Sequence, residues 1–356
     1  MTYDAILVVS FGGPESTDDV IPFLENVLRG RNVPRERLLA VAGHYYRFGG
    51  KSPINQQTRE LVAALQAELE QHAAKLGGPN FLGPKLPVYW GNRNWHPLLP
   101  ETLLQMKKDG VRRALGFVTS AYSSYSGCRQ YRENIAQAQR EVGEGAPEVD
   151  KLRAFFNHPE FIDATGERVG EALEAALQNA SQSARQNVQV VYTAHSVPVS
   201  MAATSDYVRQ LEEVRRLVSQ KLGVRNDALV YQSRSGAPGQ PWLEPDILDY
   251  LRAVKTQNLA SAVVIAPIGF ISDHMEVVYD LDVEARELCD SLSLPMTRAK
   301  TVGVHPKFVA MIRELIQERM NPGEERRAVG SLGPRADICE ENCCPAPAAR
   351  AAPAVP

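Results

Sequence analysis

The chain has 356 residues, a formal net charge of −3, 44% hydrophobic and 23% charged residues, the balance of a soluble globular protein of about two domains. This charge argues against nucleic-acid binding by bulk positive charge. The longest apolar stretch, Ala262 to Ile271, is about half a membrane span, and the first residues lack signal-peptide features. We therefore expect a cytoplasmic protein with no integral membrane segment and no nucleic-acid partner.

Short β-branched runs alternate with helical patterns along the chain. The predicted strands are Ala5–Ser10, Val88–Trp90, Arg113–Thr119, Leu152–Phe156, Val188–Thr193, Ala228–Tyr231, Ala262–Pro267 and Met296–Thr301. Helices are predicted from Ser16 or Thr17 to Arg29, from Gln56 to Leu76, and from Pro97, Pro159 and Pro306, the last ending before Pro322. The alternation predicts the α/β class, with two similar Rossmann-like lobes, a parallel four-stranded sheet in each and an active-site cleft between them.

The predicted lobes span residues 1–157 and 158–320, and a tail rich in cysteine and proline spans 321–356. In such folds ligands bind beyond the carboxyl ends of the strands, so the residues after each strand are informative. The turn Gly12-Gly13-Pro14 after the first strand lacks the GxGxxG spacing of a nucleotide site, and Pro14 removes a backbone donor. We interpret this turn as the border of a flat apolar ligand.

Two predicted strands are followed by residues suited to proton transfer or metal binding. His195 follows the fifth strand, where an imidazole serves either proton transfer at neutral pH or a hydrogen bond within a turn. Glu276, Asp280 and Glu284 follow the seventh strand at intervals of four residues. A π-type turn would align them better than an ideal α-helix, and aligned carboxylates would attract a divalent cation. The alternative is a solvated acidic helix face.

The cysteines are unevenly distributed. Cys339, Cys343 and Cys344 lie close together in the tail, whereas Cys128 and Cys289 lie in the body of the chain. In a reducing compartment such a cluster favours metal binding over disulfides. Cys289, on a predicted helical face, is interpreted as a small core residue.

Several segments in chain order resemble the ferrochelatase family, whose members insert Fe²⁺ into a porphyrin in heme synthesis. The matching pieces are LVVSFGGPES, PFLENVLRGR, GGKSPIN, YWGNRNWHP, TSAYSSYSGCRQY, TAHSVP, YQSRSGAPGQPWLEPD and PIGFISDHMEVVYDLD. They run from Ile6 to about Met320, and TAHSVP together with SDHMEVVYDLD is the most specific part. The resemblance implies a chelatase-like fold and a lyase, with porphyrin and Fe²⁺ as substrates.

The resemblance also implies roles for individual residues. His195 and Glu276 match the two residues that face the porphyrin centre, where one takes a proton or binds the incoming metal; their division of labour stays open. Asp280 and Glu284 match the acidic path that hands the cation inward. The residues expected to line the porphyrin slot are Phe11, Tyr122, Tyr125 and Ile271. The residues expected to meet its propionates are Arg29, Arg31 and Ser52, with exposed helix-end charges as the alternative for the arginines.

The family resemblance extends to the cysteines. Some members hold a [2Fe–2S] cluster with one mid-chain cysteine and three from a C-terminal extension, which Cys128, Cys339, Cys343 and Cys344 match. Four thiolates are what such a cluster requires. The alternatives are a Zn²⁺ site with the same ligands, or reduced thiols in a tail without metal.

The motifs look most like the coproporphyrin III type found in actinobacteria, although two positions depart from some soluble members. These are His44, where others have Arg, and Phe11, where others have Tyr; Phe11 cannot supply a phenolate to a metal. The expected function is therefore a coproporphyrin III ferrochelatase. Protoporphyrin IX ferrochelatase, cobalt chelatase and a non-catalytic porphyrin or heme carrier are the alternatives. A redox-sensing role for the cysteines could coexist with catalysis, as could a transient contact with another heme-pathway protein.

Overall fold

The computed structural model describes residues 2–30, 33–73, 86–179, 187–236, 239–321 and 323–346. Its eight strands form two sheets, and every pair of neighbouring strands is parallel. The first sheet has the order β2-β1-β3-β4 and consists of β1 Ala5–Ser10, β2 Val88–Asn92, β3 Arg113–Val118 and β4 Glu148–Lys151. The second has the order β6-β5-β7-β8 and consists of β5 Val188–His195, β6 Asp227–Gln232, β7 Ala262–Ala266 and β8 Met296–Arg298. The predicted α/β class with two parallel four-stranded sheets is confirmed.

Helices connect and cover the strands. The α-helices are Val20–Val27, Arg35–Arg47, Ile54–Gln71, Leu99–Lys108, Gln130–Val142, Pro159–Asn179, Val199–Ala202, Tyr207–Leu222, Ile247–Thr256, Met275–Val277, Arg286–Ser291 and Pro306–Met320. Two segments have π-helical geometry, Tyr125–Arg129 and Val278–Ala285. The second carries Asp280 and Glu284, and Glu276 lies just before it in the short helix Met275–Val277. The π geometry is the one that aligns acidic residues spaced by four better than an α-helix does.

The strand order determines where ligands can enter. In each sheet the strand order reverses between the two central strands, β1 and β3 in one and β5 and β7 in the other. The loops leaving adjacent strands at such a switch point go to opposite faces and leave a crevice. The segments that follow β3 and β7 contact each other, because the hydroxyl of Tyr122, after β3, donates to the carbonyl of Ile268, after β7, at 2.8 Å.

The predicted fourth strand, Leu152–Phe156, is wrong. β4 is Glu148–Lys151, a polar edge strand paired only with β3. Residues 152–156 are all buried, but the chain turns there, with the amide of His158 donating to the carbonyl of Phe155 at 2.9 Å. A buried apolar run looks the same in sequence whether it is a strand or a packed turn, which explains the error.

Several predicted ends also shift. The first helix is Val20–Val27 rather than one that begins at Ser16 or Thr17 and runs to Arg29, because residues 16–19 form a turn. The helix predicted from Gln56 to Leu76 is Ile54–Gln71, and Leu76 lies outside the described residues. β5 continues to His195, two residues beyond its predicted end.

One hydrophobic core joins the two sheets. It includes Ile6 and Val8 of β1, Val190 and Tyr192 of β5, and Phe308 of the last helix, all almost fully buried. The predicted division at residues 157 and 320 stays a prediction. In the part of the chain that the structure describes, no helix combines the length and the apolar character that crossing a membrane requires.

Candidate active site and cysteine centre

A histidine–carboxylate pair lies at the carboxyl end of β5. The Nδ1 atom of His195 contacts the carbonyl oxygen of Ser196, which can only accept, so Nδ1 carries the proton and Nε2 is left for other partners. Nε2 lies 3.5 Å from Oε2 of Glu276. Nδ1 of His274 lies 3.8 Å from the same oxygen, so two imidazoles flank one carboxylate.

The electrostatics of this pair follow from burial and mutual attraction. Burial lowers the pKa of His195, but the carboxylate of Glu276 and the carbonyl of Ser196 outweigh it, and the net pKa is raised. Burial raises the pKa of Glu276, but the imidazoles of His195 and His274 lower it to about 2. Glu276 is therefore ionised at neutral pH, beside an imidazole whose protonated form it stabilises.

The acidic series continues along the π-helix Val278–Ala285. Burial and the charges of Glu276 and Glu284 raise the pKa of Asp280 to about 7, although a hydrogen bond from Ser233 opposes this. Burial also raises the pKa of Glu284. The carboxylates of Glu276 and Glu284 thus repel that of Asp280, and a cation arriving beside Asp280 would relieve that repulsion.

An arginine that the sequence analysis missed anchors this acidic segment. Nε and Nη2 of Arg298 donate to the two carboxylate oxygens of Asp282 at 2.5 and 2.9 Å, and Nη1 donates to Asp273 at 3.2 Å. Arg298 ends β8, so its contacts tie the loop before the acidic helix, and the π-helix itself, to the sheet. Sequence gave no sign of these pairs, because nothing in the spacing distinguishes Asp282 from its acidic neighbours.

The helix Arg35–Arg47 packs directly against the acidic segment. The ring of His44 stacks on that of Tyr279, with centroids 3.7 Å apart and planes 7° apart. Arg47 forms an exposed salt bridge with Glu287 at 2.7 Å. Phe11 packs in the same apolar cluster as Met275, the residue before Glu276. The turn after the first strand and the acidic segment therefore lie next to each other.

The remaining predicted substrate-binding residues differ in their exposure and in their hydrogen-bond partners. Tyr122 and Ile271 are buried, and the hydroxyl of Tyr122 donates its hydrogen bond to the carbonyl of Ile268. Tyr125 is half-buried and donates to Glu133 at 3.0 Å. Ser52 is buried behind the first loop, its amide bonded to the carbonyl of Pro14, whereas Arg29 is exposed. Arg31 lies outside the described residues.

The structure brings four of the five cysteines together. Cys128 is buried in the π-helical turn Tyr125–Arg129, and its thiol interacts with that of Cys339. Cys343 interacts with both Cys339 and Cys344. Hydrogen bonding to Cys128 lowers the pKa of Cys339 to about 7, whereas burial raises that of Cys344 to about 12. Cys289 is fully buried in the core of the second sheet, as predicted.

Two arginines hold the cysteine-bearing tail: Arg129 ends the turn that carries Cys128, and Arg132 lies in the helix that follows. Nη1 of Arg132 lies 3.4 Å from Sγ of Cys343, and Nη1 of Arg129 donates to the carbonyls of Glu341 and Cys343 at 3.1 and 3.2 Å. Among the residues described, no group of three or more His, Cys, Asp or Glu side chains is found that could hold a metal ion.

Comparison with known proteins identifies the family. The family model described as Ferrochelatase matches residues 3–320. A protein named ferrochelatase from Rhodopirellula baltica is 53% identical over 96% of this chain and 93% of its own length. One named coproporphyrin III ferrochelatase from Streptomyces coelicolor is 47% identical over 99% and 96%.

Among solved structures, the sirohydrochlorin chelatase SirB from Bacillus subtilis subspecies spizizenii, in complex with cobalt, superposes with a TM-score of 0.51. It covers 89% of this chain and 95% of its own, at 12% identity, which supports the fold alone. The family match over nearly the whole chain and the close relatives lead to one conclusion. The chain belongs to the ferrochelatase family.

Proposed function

We propose that this chain inserts Fe²⁺ into coproporphyrin III to give Fe-coproporphyrin in heme biosynthesis. The observation that carries the proposal is the pair of His195 and Glu276 at the end of a central strand, followed by a file of carboxylates. Relatives named coproporphyrin III ferrochelatase, 43 to 49% identical, support the choice of porphyrin. A non-catalytic carrier would need the apolar cleft but not this set of ionisable groups.

Metal insertion into a porphyrin releases two pyrrole protons for each Fe²⁺ that enters. His195 suits the role of base, because its Nδ1 proton is held by Ser196 and Nε2 can accept a pyrrole proton. The neighbouring carboxylate of Glu276 then balances the imidazolium charge. General-base catalysis of this kind contributes about 10²–10⁴-fold to rate.

The carboxylates of Glu276, Asp280 and Glu284 suit the approach of the substrate cation. Oxygen ligands bind hydrated Fe²⁺ weakly enough to release it to the nitrogens of the macrocycle. Burial, together with the charges of Glu276 and Glu284, raises the pKa of Asp280, and an incoming cation would favour its ionised form. We assign these three residues to metal delivery.

An anaerobic Fe²⁺ insertion assay tests this proposal, with coproporphyrin III and protoporphyrin IX run side by side and metallation followed by absorbance. We expect faster turnover of coproporphyrin III, and at least a hundredfold loss in His195→Ala. His72→Ala, which changes a half-buried histidine at the end of the helix Ile54–Gln71, is the matched control. Faster turnover of protoporphyrin IX would identify that porphyrin as the substrate instead. Binding of both porphyrins without metallation would indicate a carrier.

We also propose that Cys128, Cys339, Cys343 and Cys344 hold a [2Fe–2S] cluster, a one-electron redox group. The donor set fits, because four thiol side chains converge from a buried turn and the tail. Such a cluster takes two protein thiolates on each of its two irons. Arg132 and Arg129 would hold the ligand loop around it.

The cluster proposal is tested by the visible absorption spectrum and the iron, sulfide and zinc content of the purified protein. We expect two irons and two sulfides per chain, lost in Cys343→Ser and kept in Cys289→Ala, which changes a core cysteine. One zinc per chain would support the single-ion alternative. A Cys343→Ser protein with the wild-type spectrum would remove that residue from the ligand set.

A further inference from the structure

The helix Tyr207–Leu222 contacts three functional parts of the chain with one face. Tyr207, Gln210 and Glu213 recur every three residues, so they lie on neighbouring positions of that face, and all three are buried. Tyr207 contacts the strand end that carries His195, and Gln210 contacts the segment that leads to Cys128. Glu213 contacts the C-terminal tail. None of these three residues takes part in the chemistry proposed above.

Tyr207 supports His195 through its main chain. The hydroxyl of Tyr207 donates to the carbonyl oxygen of His195 at 3.0 Å. The tyrosine is only 6% exposed, and its ring meets that of Tyr122 edge-on, with centroids 6.1 Å apart. The ring therefore has little freedom, and this bond fixes the peptide from which the imidazole projects.

Gln210 connects the same helix to the segment that leads into the turn Tyr125–Arg129, which carries Cys128. Its Oε1 accepts from the amide of Ser123 at 2.7 Å, and its Nε2 donates to the hydroxyl of Ser123 at 2.9 Å. Both side chains are buried, so neither has water as an alternative partner. The next residue, Ser124, accepts the amide of Cys128 at 3.0 Å. The turn bearing Cys128 is thus two hydrogen bonds from Gln210.

The tail binds both ends of this helical face. Arg335 donates to Asp206, immediately before the helix, at 2.7 Å, and the hydroxyl of Ser331 donates to Glu213 at 3.1 Å. Asn157 holds the other side of the tail. Its carbonyl oxygen accepts from the amide of Val329 at 2.9 Å, and its side-chain amide donates to the carbonyl of Gly333 at 2.8 Å. The tail lies between the end of the first sheet and this helix.

We propose that Tyr207 is a positioning residue for His195 and that residues 327–344 of the tail act on it through Asp206 and Gln210. A change in the tail or in the turn that carries Cys128 then shifts the start of the helix, and with it the hydroxyl of Tyr207 that holds the carbonyl of His195. The inference rests on the proposed function only in taking His195 as the base. Removing one neutral hydrogen bond from such a site costs about threefold to tenfold in rate.

The test is a double-mutant cycle on the full chain with Tyr207→Phe and Arg335→Gln. We expect Tyr207→Phe to lower kcat threefold to tenfold, with the affinity and stoichiometry of coproporphyrin III binding, measured by fluorescence, unchanged. Arg335→Gln should lower kcat less, and add no further loss in the Tyr207→Phe background, because both changes act on one contact. Gln220→Ala, which changes an exposed side chain of the same helix, is the control expected to behave as wild type.

A second readout does not depend on activity. The imidazole resonance of His195, assigned by its loss in His195→Ala, should shift in both Tyr207→Phe and Arg335→Gln and stay unchanged in Gln220→Ala. Independent, multiplying losses of kcat, or an unmoved resonance in both variants, would overturn the proposal. Absence of metallation by the wild type would instead overturn the proposed function. The resonance of His195 would still test whether the tail and Tyr207 position this residue.

Discussion

His158 is fully buried, beside two carboxylates that are already paired. Its Nε2 lies 3.5 Å from Glu314 and 3.9 Å from Glu318, but Glu318 is held by Arg153 at 2.7 Å and Glu314 by Arg327. Since the carboxylate charges are neutralised, burial dominates and, with the two arginines, lowers the pKa of His158 to about 3. The residue is therefore neutral in the folded protein and charged in the unfolded chain below about pH 6.5.

This histidine should make stability depend on pH. As pH falls through about 6.5 the unfolded chain binds a proton at His158 that the folded protein refuses until about pH 3, so stability falls with pH. Between pH 7 and 5 we expect the free energy of unfolding to fall by about 2 kcal/mol more in the wild type than in His158→Asn. Asparagine keeps an acceptor for the amide of Glu160, which His158 Nδ1 now binds. The free energy of unfolding is measured by urea titration at each pH. The same dependence on pH in the wild type and in His158→Asn would contradict this expectation.

The π-helix Val278–Ala285 is stabilised by a contact from outside itself. Arg298 pairs with Asp282 and Asp273, and all three side chains are mostly buried. Arg298→Gln should lower the free energy of unfolding by about 2 kcal/mol, because two carboxylates lose charged donors. It should also speed amide hydrogen exchange in residues 278–285. Arg252→Gln removes an exposed pair with Asp249 and should cost less than about 0.5 kcal/mol. Equal effects of the two variants would show that the pairing of Arg298 is not what holds the π-helix.

Sequence predicted elements well where their signal is local and poorly where partners are distant. The four-residue spacing of Glu276, Asp280 and Glu284 favoured π geometry because an α-helix would spread them around its axis, and Asp280 and Glu284 lie in the π-helix. The strand Glu148–Lys151 was missed because an edge strand needs no apolar residues, only a neighbour to pair with. The role of Tyr207 could not be predicted either, because its partner, the carbonyl of His195, is distant in sequence and has no sequence signal.

At the scale of the whole molecule, one core serves both sheets. Residues of β1, β3, β5 and β7 belong to a single buried cluster, and the last helix, Pro306–Met320, packs on the helix Ile54–Gln71 of the other half. Arg313 of the last helix also donates to Glu68 at 2.8 Å. Opening either half would expose apolar surface of the other, at about 25 cal/mol for each Å². The predicted lobes are therefore expected to depend on each other for stability.

We expect the two halves to unfold in one transition, and the tryptophans allow this to be measured. Trp90 and Trp95 lie in the first half and Trp242 in the second. Trp242→Phe leaves reporters for the first half only, whereas Trp90→Phe with Trp95→Phe leaves a reporter for the second. In urea, the wild-type fluorescence and circular dichroism should give the same midpoint, and each variant should show coincident curves for its own fluorescence and circular dichroism. Comparing probes within one protein removes any effect of the substitutions on stability. Fluorescence from one half that changes at lower urea than circular dichroism would show that this half opens alone, and that the shared core does not make the molecule a single cooperative unit.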